Sequence, residues 1–171
     1  ELGFFHTRQK QISSTGFQLA LESEETLTIQ PGSETIGYLA IDPGTGSWDD
    51  LTYEAFTTSE NIGGSWGNLN FSQTFPTSPS FLSTLTGYKV HDSGQIRTQN
   101  ISAAYIQLKI EEDTTYDAEI VREQYESASY LALGGQGLLA GPTTPLGQQT
   151  ESFFLVLEDE GLVGNVNVTV N

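Results

Sequence analysis

Few residues of this sequence combine the type and the spacing that catalysis requires. Gly63-Gly64-Ser65-Trp66-Gly67 has the spacing of a nucleophile elbow, which holds a serine on a sharp turn between a strand and a helix. Here a glycine-rich loop precedes the serine, and a strand is expected after it. His91 stands beside Asp92, but the pair is expected in a loop without a plausible nucleophile nearby. We therefore expect a protein that is not an enzyme.

The acidic residues are the largest group of chemically active side chains. Asp and Glu number 22 against six Lys and Arg, giving a net charge of −16 that argues against nucleic acid as a partner. Runs such as Glu111-Glu112-Asp113 place neighbouring carboxylates on opposite faces of a strand, so they are poor pairs for glycoside hydrolysis. Oxygen atoms of Asp42, Asp49 and Asp50 could bind calcium; otherwise we expect no cofactor.

The two tryptophans offer binding chemistry instead. Trp48 and Trp66 flank a segment rich in Gly and Ser, and their flat rings could form a platform for a sugar. Packing over one end of the fold is the alternative role.

We expect an extracellular or cell-surface location. The chain has no methionine and opens on Glu1, so we interpret it as a processed mature chain or a natural fragment. It has no cysteine, which excludes a disulfide without fixing the compartment, and no apolar run long enough to span a membrane. Three sequons, at Asn70, Asn100 and Asn167, are compatible with glycosylation.

Alternating apolar residues predict an all-β chain. Residues 17–22 and 106–111 alternate as half-buried strands do, and an acidic loop follows each. Mostly apolar strands are predicted next, at Thr35–Ile41 and Ala128–Leu133. Further strands are predicted at residues 51–56, 68–75, 80–86, 152–158 and 163–170, and also over 117–125, where a helical turn is the alternative.

These strands belong to two related copies, of which the first is incomplete. At a spacing of 89 residues Arg8, Ile12, Ser13, Gln18, Leu19 and Glu22 recur as Arg97, Ile101, Ser102, Gln107, Leu108 and Glu111. At a spacing of 92, Glu34 and Tyr38-Leu39-Ala40-Ile41 recur as Glu126 and Tyr130-Leu131-Ala132-Leu133. Glu1 aligns with Val90, so the first copy has no counterpart of residues 67–89. A sheet that lacks its first strands must find replacements or expose an edge.

The tail is a candidate replacement. We divide the chain into an incomplete first copy (1–46), an inter-repeat segment (47–66), a complete second copy (67–137), a linker (138–149) and C-terminal strands (150–171). In the last strand Val166, Val168 and Val170 alternate with polar residues, a pattern suited to a sheet edge. This strand could complete the first copy's sheet in the same chain or in a neighbouring one. Truncation of a longer multi-repeat protein is the alternative.

The second copy resembles the H-type lectin domain. The resemblance rests on Phe71 and Phe75 ahead of Pro79, Phe81-Leu82-Ser83-Thr84-Leu85, Arg97 ahead of Ile101 and Ile106, and Tyr130-Leu131-Ala132-Leu133. It covers residues 67–137 and, in part, 8–41. It implies an antiparallel β-sandwich that forms oligomers and binds sugars, with Arg8 and Arg97 at the position of the family's sugar-contacting arginine. The Trp-His pair of that family's site is replaced by Glu24-Glu25 and Asp113-Thr114, and neutralising a nearby acid is the other role for each arginine.

Two functions follow as hypotheses. The first is a non-enzymatic extracellular subunit that forms a homopolymer, such as a filament or surface layer, by exchanging terminal strands. The second is a carbohydrate-binding module, with Arg8, Arg97, Trp48 and Trp66 as candidate contacts and glycans as partners. Neither requires insertion into a membrane.

Overall fold

The described part of the chain forms ten β-strands and no helix. The computed structural model describes residues 5–24, 27, 34–48, 50–89, 93–114, 124–135 and, for the backbone, 163–169. The strands are β1 (Phe5–Ser13), β2 (Gly16–Ser23), β3 (Gly44–Trp48), β4 (Leu51–Thr57), β5 (Gly67–Asn70), β6 (Ser80–Leu85), β7 (Gly94–Gln99), β8 (Tyr105–Glu112), β9 (Ala128–Gly134) and β10 (Val163–Thr169). They pair antiparallel into sheets of order β1-β2-β10, β3-β4-β9-β6 and β5-β8-β7.

Two of these sheets pack face to face around one core. On β8, Ile106, Leu108 and Ile110 point inward at 1–2% exposure, while the residues between them are less buried. They meet the inner face of β9, one of the two central strands of the four-stranded sheet. Phe71 and Phe75, in edge-to-face contact with ring centres 5.1 Å apart, complete this cluster. The predicted antiparallel β-sandwich class is confirmed.

The hairpin β1–β2 matches the hairpin β7–β8 in register. Arg8 lies opposite Ala20 as Arg97 lies opposite Lys109, and all six pairs from Phe5 to Lys10 recur displaced by the same 89 residues. The turns also match, because Ser13 Oγ donates to Gly16 O at 3.0 Å and Ser102 Oγ donates to Tyr105 O at 3.1 Å.

A backbone irregularity recurs at the same place in both hairpins. Gln11 has φ 53° and Asn100 has φ 48°, both in the left-handed region. Asparagine tolerates this conformation better than glutamine does. The two hairpins therefore share a bend as well as a strand register.

β10 occupies on β2 the position that β5 occupies on β8. Asn167 lies opposite Gln18 and Val168 opposite Phe17, while Asn68 lies opposite Gln107 and Leu69 opposite Ile106. Relative to the two matching hairpins, the two added strands have the same register.

One strand prediction is wrong. Residues 35–41 form no strand, and Tyr38 and Leu39 are 44% and 68% exposed. Their counterpart β9 lies between β4 and β6, and a strand needs such neighbours to pair with. Tyr38 instead rests edge-on against Phe17 of β2, with ring centres 5.5 Å apart.

Other boundaries also differ from prediction. β5 ends at Asn70, because the following aromatics turn into the core rather than continuing a ladder. β3 is an additional strand in the glycine-rich inter-repeat segment. The predicted strand at 152–158 lies outside the described residues, as does 117–123 of the one predicted at 117–125, whereas Gln124 and Tyr125 are described and form no strand. The proposed domain boundaries stay predictions.

Candidate functional site

A buried arginine joins the β1–β2 hairpin to the sandwich. Arg8 is 2% exposed, and its Nη1 donates to Glu22 Oε2 at 2.7 Å. Its Nη2 donates to Glu126 Oε1 at 2.6 Å, and its Nε donates to the carbonyl of Gly87 at 2.8 Å. Glu22 belongs to β2, Gly87 follows β6, and Glu126 precedes β9. We call these four residues the seam.

The surroundings of the seam enforce this geometry. The Tyr88 ring lies 5.2 Å from Arg8 Cζ. Burial, and next the Glu22 carboxylate, raise the pKa of Tyr88 to about 12, against a smaller opposing effect of Arg8. A Cβ at Gly87 would overlap the Glu126 carboxylate, so any larger residue there would displace that carboxylate from Arg8. Thr84 Oγ1 extends the contact by donating to Gln9 Oε1 at 2.7 Å.

The seam gives Arg8 a structural role. Its donors are directed at the chain's own acceptors inside the protein, so a sugar would have to displace Glu22, Glu126 or the Gly87 carbonyl. Because charge-assisted hydrogen bonds in buried surroundings are strong, such displacement is costly.

The equivalent arginine of the second hairpin is exposed. The Arg97 side chain is 49% exposed, and its Nε donates to Glu111 Oε2. Lys109 Nζ donates to the other oxygen of Glu111 at 3.0 Å and lies 5.2 Å from the centre of the Trp66 ring. The hydrogen bonds from Lys109, and next from Arg97, lower the pKa of Glu111. The structure thus brings the candidates Arg97 and Trp66 onto one surface.

A row of amides continues this surface across the β5-β8-β7 sheet. Gln107 Oε1 accepts from Gln99 Nε2 at 3.0 Å and from Asn100 Nδ2 at 2.8 Å. Gln107 Nε2 donates to Asn68 Oδ1 at 3.0 Å. Amides, cations and one aromatic face together provide donors, acceptors and a stacking surface. We call this surface the polar face; it consists of Trp66, Asn68, Arg97, Gln99, Asn100, Gln107, Lys109 and Glu111.

The remaining candidates are dispersed. Trp48 ends β3, and its side chain lies outside the described part. Val166 and Val168 lie opposite Leu19 and Phe17, while Val170 is outside the described residues.

The three sequon asparagines also lie apart. Asn70 and Asn100 are exposed, and Asn167 lies opposite Gln18 in the strand ladder. Glycosylation at these positions stays a prediction.

A buried glutamate on β4 was not among the sequence candidates. Glu54 is fully buried and accepts from Tyr130 Oη at 2.6 Å, Ser72 Oγ at 2.7 Å and the Ser72 and Gln73 amides. Burial, and next the bond to Glu54, raise the pKa of Tyr130. This network ties the loop after β5 to the four-stranded sheet.

Sequence reasoning also missed the partners of Arg8. Glu22 and Glu126 both recur in the repeat, and a recurring Arg-Glu pair 14 residues apart around a hairpin is the signal that could have identified the cross-strand bond. Gly87 had no such signal.

Within the described ranges, no group of three or more acidic or histidine side chains is arranged to hold a metal ion. Asp49, one of the calcium candidates, lies outside them. In the same ranges, no helix is long and apolar enough to cross a membrane.

In comparisons with known proteins, the chain matches no family model, no curated protein and no solved structure.

Proposed function

We propose that this protein is a non-enzymatic extracellular structural subunit that self-assembles by exchange of its C-terminal strand. β10 of one chain would complete the β1–β2 sheet of the next chain. The observation that carries the proposal is the register of β10 on β2, which repeats that of β5 on β8. A strand that takes the place of a missing strand is the defining feature of donor-strand assembly.

The chain between the sandwich and β10 supports exchange. Residues 136–162 separate them and include Gly141-Pro142 and Thr144-Pro145. Fully extended, a segment of this length reaches about 90 Å. It is long enough to allow β10 to pair within its own chain or with a neighbour, and the protein concentration then selects between the two.

Main-chain pairing explains why few specific side chains are needed. In each antiparallel ladder the backbone N–H and C=O groups supply the bonds, and alternating side chains supply packing. Val166 and Val168 occupy alternate positions opposite Leu19 and Phe17. The proposal therefore needs no catalytic constellation.

Electron microscopy of the purified chain, with and without residues 162–171, tests the proposal. We expect regular strand-exchanged polymers from the full chain and none from the deletion, because β2 then lacks its donor. A synthetic peptide of residues 162–171, added in excess to the full chain, should also cap this assembly. The same regular polymers formed undiminished by the deleted chain would overturn the proposal.

A carbohydrate-binding module is the second candidate, favoured by the polar face. Trp66 is 40% exposed beside Lys109, which shares the Glu111 carboxylate with Arg97. Sugar rings stack on such aromatic faces, while cations and amides bind their hydroxyls. Glycan-array binding that is lost in Arg97→Ala would support this function. Absence of binding to any glycan, with circular dichroism showing an intact fold, would count against it.

A further inference from the structure

We propose that the Arg97–Glu111 pair binds Glu34 of a second copy of this chain, reproducing between chains the contact that Arg8 and Glu22 make with Glu126 inside one chain. This inference rests on the proposed self-assembly and adds a second interface to it. It does not require strand exchange.

The two arginine–glutamate pairs are the same element in different surroundings. Arg8 and Glu22 sit at the same register positions of β1–β2 as Arg97 and Glu111 do of β7–β8. In both pairs the guanidinium donates to the Oε2 atom of the glutamate. The first pair is 2% exposed at both side chains, because the rest of the chain covers it, whereas the second is 49% and 40% exposed.

The acceptor half of the contact is also repeated. Glu126 stands four residues before Tyr130-Leu131-Ala132, and Glu34 stands four residues before Tyr38-Leu39-Ala40. Glu126 is fully buried against Arg8, whereas Glu34 is exposed. The ring contact between Tyr38 and Phe17 holds the segment that follows Glu34 against β2.

One chain therefore contains the complete contact of Arg8 and Glu22 with Glu126. It also exposes both parts of a second such contact, the Arg97–Glu111 pair and Glu34. Among the described residues, Arg97 donates only to Glu111, through Nε, whereas Arg8 uses its terminal nitrogens to bind both of its carboxylates. A neighbour's Glu34 supplies the second carboxylate. Donor and acceptor are different parts of the chain, Arg97 on β7 and Glu34 in the segment after β2, so each copy can both give and receive the contact. Repetition then builds a closed assembly or an open filament.

Charge reversal tests the contact. At about 0.15 M salt the Debye length is about 8 Å, so the net charge of each chain is screened while a direct contact survives. We expect association by sedimentation velocity that weakens at least about tenfold in Arg97→Glu and in Glu34→Arg. The double swap should restore the wild-type dissociation constant to within about threefold.

The exposed Lys89–Glu60 pair supplies matched controls. Lys89→Glu and Glu60→Arg change the net charge by the same amounts at side chains that are 44% and 55% exposed. Both controls should associate as the wild type does. Four outcomes would each overturn the inference. The wild type could be monomeric, or the Arg97 or Glu34 variants could associate as strongly as the wild type. The controls could lose as much association as those variants, or the double swap could fold without restoring association.

The deletion of residues 162–171 separates this contact from strand exchange. If the deleted chain still associates, and Arg97→Glu abolishes that association, the contact stands. Strand exchange then fails only if the full chain forms no polymers beyond those of the deleted chain. If Arg97→Glu and Glu34→Arg each form strand-exchanged polymers as the wild type does, strand exchange stands and the contact fails.

Discussion

Replacing Arg8 by methionine should destabilise the protein far more than the same replacement at Arg97. Arg8→Met removes three donors, to Glu22, Glu126 and the Gly87 carbonyl, at 2.6–2.8 Å. It leaves two carboxylates buried at 2% and 0% side-chain exposure without their arginine. Removing one partner of a buried ion pair costs about 3–5 kcal/mol.

Arg97→Met is the matched control at the equivalent position. Its bond to Glu111 is exposed and screened by solvent, so little stability is lost with it. A domain is stable by only about 5–15 kcal/mol, so the loss at Arg8 is a large fraction of the total.

Urea denaturation followed by circular dichroism measures the difference. With a urea slope of about 2 kcal/mol per molar, the transition midpoint of Arg8→Met should fall by about 2 M, while that of Arg97→Met stays near the wild type. Adding Glu126→Gln to Arg8→Met should recover part of the loss, because one buried charge is then gone. Equal midpoints for the two methionine variants would refute the structural role assigned to Arg8.

Three further predictions concern the seam and the separate Glu54 network. Gly87→Ala should cost about 1–3 kcal/mol because its Cβ overlaps a buried carboxylate, whereas Gly67→Ala, with open space around the added Cβ, should be near neutral in the same denaturation assay. Tyr88 has its pKa raised from 10.0 to about 12, so the folded chain retains a proton that the unfolded chain loses. Its contribution should be complete below pH 10 and lost as the pH rises toward 12, and Tyr88→Phe should flatten that decline; an unchanged slope would contradict the assignment. Tyr130→Phe removes the hydroxyl that donates to Glu54 at 2.6 Å and should cost about 1.5–3 kcal/mol, and a thermal or urea transition identical to the wild type would contradict this.

The sequence predicts strands well where alternation and partners coincide. The alternation of Ile106, Leu108 and Ile110 with more polar residues is evident in the sequence, and the structure buries these three side chains on one face. Residues 38–41 have nearly the same sequence as residues 130–133, yet only residues 130–133 lie in a strand. Local propensity cannot indicate which apolar segment lies between two partner strands, because pairing is a tertiary property.

The sequence also could not predict that Arg8 is buried whereas Arg97 is exposed. Arg8 and Arg97 occupy the same position of the same repeated pattern, so periodicity treats them alike. Gly87, Tyr88 and Glu126, far from Arg8 in the sequence, decide that one is enclosed and the other exposed. Long-range contacts of this kind leave no local signal.

Engineered cysteines test strand exchange most directly, because the chain has none of its own. Gln18 and Asn167 are opposite partners in the β2–β10 ladder, and antiparallel partners lie within disulfide reach. The test mixes Gln18→Cys chains with Asn167→Cys chains under assembly conditions, oxidises them and separates the products on a non-reducing gel, with each variant alone as control. Strand exchange predicts a disulfide-linked heterodimer that forms only in the mixture. Absence of the heterodimer, with the double variant giving only an internally linked monomer, would contradict it.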